Sequence, residues 1–85
     1  MNMNISIEYC TQWNYKPRAL SLRDDLQQEF PSSVINLIKS GGGVFEIELN
    51  GHLNIFSKKL TGRFPTNYEV IKTIRDAITE RRIKK

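Results

Sequence analysis

The hydrophobic period of this chain changes once near its start, and that change constrains the fold more than any other feature. Met3, Ile5, Ile7 and Tyr9 alternate with Asn4, Ser6 and Glu8, a period of two that suits a strand with one buried face. Past the segment CTQWNYKP, the apolar residues Ala19, Leu22, Leu26 and Phe30 recur at helical spacing opposite Arg18, Arg23, Asp24, Gln27 and Gln28. The spacing predicts a helix from about Tyr15 to Glu29. Asn14 is the expected N-cap, which puts Pro17 in the first turn where no intrahelical N–H bond is lost, and Phe30-Pro31 ends the helix.

The rest of the chain reads as strands and one more helix. Val34 to Ile38 is a short run rich in β-branched residues, followed by Lys39-Ser40-Gly41-Gly42-Gly43, read as a flexible loop. Val44 to Leu49 and His52 to Ser57 flank Asn50-Gly51, a hairpin signal. A three-residue loop with Gly51 left-handed in a bulge would pair Ile47 with Leu53 and Phe45 with Ile55, keeping apolar residues together, and is the register expected. Lys58 to Phe64 reads as a basic loop. Thr66 and Glu69 then form a capping box ahead of a helix whose apolar stripe is Val70, Ile71, Ile74, Ala77 and Ile78, and whose basic end suits the helix dipole.

The order βαβββα predicts a parallel pair across the first helix and an antiparallel hairpin. Asn4, Ser6, Glu8, Glu46, Glu48 and Asn54 share the unburied sides of their strands, so both helices should cover one face. The other face is expected to be wet or to bind a partner, including a second copy.

At 85 residues, 39% hydrophobic, the chain suits one domain with one thin core. The start MNMNISIEYC lacks a basic segment followed by an apolar run, and no stretch approaches the roughly 20 apolar residues of a membrane span. A soluble cytoplasmic protein is expected. Cys10 is the only cysteine, which excludes an internal disulfide and suits a reducing compartment. The net charge of +4 is concentrated in a tail at 81–85 without a recognition helix or stacking platform, which argues against nucleic acid. His52 has no second ligand at metal spacing, and Gly41-Gly42-Gly43 leads into a strand and lacks a P-loop lysine. No metal is expected.

Several segments together resemble the selenoprotein W-like (Rdx) family. They are the strand end Ile7-Glu8-Tyr9-Cys10, Thr11-Gln12, the aromatic Tyr15, the helix end Glu29-Phe30-Pro31, the loop and strand Gly42-Gly43-Val44-Phe45-Glu46-Ile47, Asn50-Gly51, Lys58-Lys59, Gly62 and Phe64-Pro65. The resemblance implies an α+β, thioredoxin-like domain with a four-stranded mixed sheet of order 2-1-3-4. It also implies a redox site between the first strand and first helix, where the family carries Cys-x-x-Cys or Cys-x-x-selenocysteine.

Cys10 matches the first member of that pair, and Trp13 stands in place of the second. An indole cannot resolve a disulfide, so the two-thiol cycle does not carry over. Cys10 is then expected either as an exposed thiol, helped by Lys16 and Arg18 and opposed by Glu8, or as a buried, inert cysteine. Thr11, Gln12 and Trp13 form the site loop. Trp13 would close over Cys10, hold a partner or simply pack, while Tyr9 and Tyr15 belong to core or rim. The function expected from the resemblance is thiol redox chemistry with glutathione, as co-substrate, or a protein thiol. The alternative is a binding module that has lost its redox site.

Overall fold

The structure is a computed structural model in which residues 3–80 are described. The chain forms β1 (Asn4–Cys10), α1 (Tyr15–Glu29), β2 (Val34–Ser40), β3 (Phe45–Leu49), β4 (Leu53–Ser57), the short α2 (Lys58–Thr61) and α3 (Asn67–Thr79). The sheet order is β2-β1-β3-β4, with β1 parallel to β2, antiparallel to β3, and β3 antiparallel to β4. Strand one is therefore internal and carries pairing on both edges.

The odd-numbered residues of β1 are the buried ones. Ile5, Ile7 and Tyr9 join Ile47, Leu49 and Phe45, their partners across the sheet, in one apolar cluster. The same cluster receives Ala19, Leu22 and Leu26 from α1 and Val70, Ile74 and Ala77 from α3. Both long helices thus bury their stripes against one side of the sheet, which leaves Asn4, Ser6, Glu8, Glu48 and Asn54 at least partly exposed. Val34 and Ile38 are also exposed and register with Asn4 and Glu8, so the uncovered side is less polar than its glutamates suggest.

Four local expectations change. Lys39 and Ser40 extend β2, because Ser40 registers beside Cys10 and its carbonyl accepts from Thr11 N at 3.1 Å. The hairpin pairs Leu49 with Leu53 across Asn50, Gly51 and His52, and its bulge falls further along. Glu48 faces Asn54 but Ile47 faces Phe56, which leaves Ile55 as the extra residue. The bulge brings two adjacent side chains, Ile55 and Phe56, into the core where alternation would bury one. Asn50 and Gly51 both take positive φ (56° and 76°), the turn geometry for which Asn-Gly is suited.

The stretch after β4 contains a helical turn. Ser57 Oγ accepts from Leu60 N at 3.1 Å, and left-handed Gly62 (φ 75°) closes α2 by donating to the Lys58 carbonyl. At the start of α1, Asn14 occupies the N-cap position but is left-handed (φ 61°) and makes no side-chain cap bond. The Thr66–Glu69 capping box of α3 forms as expected. The basic tail at 81–85 lies outside the described residues. Among the described residues no helix is long and apolar enough to cross a membrane.

Candidate functional site

Cys10 ends β1 in register with Ser40 of β2 and is fully buried. The chain around the strand end encloses it. Cys10 N donates to the Val44 carbonyl at 2.9 Å, and Thr11 is anchored to Ser40 through its backbone N–H and, at 3.4 Å, its hydroxyl. Gln12 N–H then turns back onto Cys10 Sγ at 3.4 Å. Of the two alternatives expected from sequence for the placement of Cys10, this conformation has the buried one, with the Gln12 backbone against the sulfur.

Thr11, Gln12 and Trp13 are brought together with Cys10 as one site loop, all three exposed. Trp13 is 73% exposed, so it does not close over the cysteine. Its backbone is left-handed (φ 56°), as is that of Asn14 after it. Asn tolerates that region; a bulky residue such as tryptophan is rarely found there, and such outliers collect at functional sites.

Beside this loop lies an aromatic group that the sequence divides among distant segments. The Tyr15 and Phe64 rings meet edge to face at 4.8 Å, as do Phe45 and Phe64 at 5.4 Å. Tyr15 Oη would be 3.4 Å from a Cβ placed on Gly43 (φ 71°), which ties the glycine loop to the start of α1. The Arg18 guanidinium sits over the Phe64 ring at 4.2 Å, and Lys58 Nζ lies 5.4 Å from the same ring. Elsewhere arginines pair with carboxylates. Arg63 grips Glu69 with two bonds of 2.7 and 2.9 Å and, together with the Thr66 N–H, lowers the Glu69 pKa to about 2.

The role of Phe64 is not visible in its spacing, since the segment before α3 shows neither alternation nor a helical stripe. His52 Nδ1 lies 3.0 Å from the Asn50 carbonyl in the hairpin turn, remote in sequence from the site loop. No cluster of His, Cys, Asp and Glu among the described residues could hold a metal ion.

A mixed sheet of this order, two helices against one side, and a cysteine where the first strand turns toward α1 define a domain of the selenoprotein W-related, thioredoxin-like class. A solved selenoprotein W-related protein from Vibrio cholerae superimposes with a TM-score of 0.83 at 32% identity, covering 92% of this chain and 99% of that one. A structure from Bordetella parapertussis gives 0.81 at 30% identity, over 87% and 95% of the two chains. The chain belongs to the Rdx family, whose model matches residues 4–76. Proteins named Migration and invasion enhancer 1 from Mus musculus and Bos taurus are each 36% identical to it over 75 residues, 88% of this chain. The chain spans 64% of the length of those relatives.

Proposed function

We propose that the domain performs single-thiol exchange at Cys10, taking up glutathione or a protein thiol as a mixed disulfide. With a protein–glutathione mixed disulfide the Cys10 thiolate attacks the glutathione sulfur, a new S–S bond forms, and the protein thiolate leaves with the electron pair of the broken bond. A free glutathione thiolate then attacks the glutathione sulfur held on Cys10, so the Cys10 thiolate leaves and glutathione disulfide is released. The observation that carries this reading is the way Cys10 is buried. Its sulfur accepts from the Gln12 N–H at 3.4 Å, and residues 11–14 of that loop are exposed, so a local movement of the loop is the route by which the thiol would be uncovered. Membership of the Rdx family supports the same assignment, as does the position of Cys10 at the strand-to-helix junction. The reducing environment of the cytoplasm suits such a cycle.

A second reading rests on Trp13. An indole 73% exposed on a left-handed residue is the kind of anchor that protein partners bury. In that case Cys10 is structural.

Incubation with glutathione disulfide separates the two. Intact-mass spectrometry of the folded protein should show one glutathione per chain, removed by dithiothreitol and absent in Cys10→Ser. If native protein takes up none while urea-unfolded protein is fully modified, the thiol is sequestered and the binding reading stands.

A further inference from the structure

A groove of about 520 Å³ runs beside the first half of α1, lined by Asn14, Arg18 and Ser21 on one side and by Phe45, Phe64 and Asn67 among its other walls. Its size falls within the roughly 300–1,000 Å³ of small-ligand sites. Phe45 pairs with Tyr9, the residue before Cys10, and Asn14 follows Trp13, so the groove adjoins the cysteine end of the sheet.

The polar groups along it are unevenly engaged. Arg23, Arg63, Lys72 and Arg75 each meet a carboxylate. Arg18 meets none among the described residues and is held over the Phe64 ring with its donors open. The Asn14 amide makes no cap bond. Asn67 Nδ2 donates to Ser21 Oγ at 3.1 Å and to Asp25 Oδ2 at 2.8 Å, which leaves its Oδ1 available to accept. Arg18, Ser21 and Asp25 are spaced i, i+3 and i+7, so they lie on one stripe of α1. Positive charge stands at one end of that stripe and negative charge at the other. Seven residues of helix at about 1.5 Å each separate the two by about 10 Å, close to three residues of extended peptide at about 3.3 Å each.

We infer that this groove docks a short zwitterionic peptide along α1, its carboxylate on Arg18 and its ammonium at Asp25, with Asn14 and Asn67 meeting the peptide amides. The planar Arg18 fork matches a carboxylate with two parallel bonds, and packing on Phe64 has already removed much of its rotamer freedom. Glutathione presents a glycine carboxylate at one end and, at its γ-glutamyl end, an ammonium accompanied by a second carboxylate; it is the member of this class through which the inference rests on the thiol-exchange reading. The docking itself requires no chemistry at Cys10.

S-methylglutathione, which cannot exchange disulfides, separates the two claims. Titrated into the full chain and into Cys10→Ser, it should give saturable amide shifts at Asn14, Arg18, Ser21 and Asn67 in both. Arg18→Gln should weaken binding at least tenfold. Asp25→Asn should weaken S-methylglutathione, whereas the N-acetylated analogue should bind less well to wild type and be indifferent to that change. Absence of saturable shifts at these amides overturns the docking, as does an affinity unchanged in a folded Arg18→Gln protein. Glutathionylation of Cys10 without saturable docking would refute the groove alone, and docking without glutathionylation would refute the thiol reading alone.

Discussion

Leu26→Ala tests the packing on which the site rests. Leu26 is fully buried in the middle of the α1 stripe, and its neighbours in the cluster come from the sheet and from α3. Truncation removes three carbons from a place where helix and sheet cannot simply close up, so the expected loss is about 2–5 kcal/mol. At about 0.05–0.15 kcal/mol per residue, an 85-residue domain has roughly 4–13 kcal/mol in all, so the variant forfeits a large fraction of its stability. At about 4–8 °C per kcal/mol for domains of this size, the melting temperature should fall by roughly 8–40 °C. Leu20→Ala, on the same helix but outside the cluster, is the control and should cost about 1 kcal/mol or less. Urea denaturation monitored by circular dichroism measures both. If Leu26→Ala moves the midpoint no further than Leu20→Ala, the helix face is assigned wrongly and the burial of Ile5 and Ile7 beneath it has to be reconsidered.

The Glu69 pKa is depressed in the folded state, from 4.5 to about 2, first by the Arg63 hydrogen bond and then by the Thr66 N–H. Its contribution is therefore complete above about pH 4.5 and disappears as the pH falls toward 2. Denaturation midpoints measured from pH 5 to pH 2 should fall less steeply in Glu69→Gln than in wild type, and parallel curves would show that the carboxylate is not held this way in solution. Trp13→Cys should permit an internal disulfide with Cys10 if position 13 stands where the family's second redox residue does, a pairing that requires the two β-carbons about 3.5–4.5 Å apart. Mild oxidation should then consume both thiols in a monomer. A folded variant that keeps two free thiols would remove the equivalence of position 13 with the family's second redox position.

The fold was largely legible because its determinants are local. The period-two run at Met3–Tyr9 and the stripe Ala19, Leu22, Leu26 and Phe30 specify element type through side-chain direction alone. Thr66 and Glu69 satisfy N–H groups within one turn of themselves, and Asn50-Gly51 provides the positive φ values its turn requires. Cys10 could also be placed at the strand end.

Tertiary structure decided how these pieces meet. The bulge that buries both Ile55 and Phe56 depends on the fit of β4 to β3 beneath α3, and residue alternation within one strand carries no trace of that fit. Burial of Cys10 depends on the Gln12 backbone folding over it and on Ser40 and Val44 bonding the strand end, contacts that join positions up to about thirty-four residues apart. Phe64 collects Tyr15, Phe45, Arg18 and Lys58 around one ring. The sequence by itself therefore determined which segments are strands and helices and which side of each is apolar, because those properties follow from neighbouring side chains. Only the tertiary structure decided that the cysteine is covered and that Arg18, which meets no carboxylate among the described residues, borders a groove, because both arise where chain segments remote in sequence close on one another.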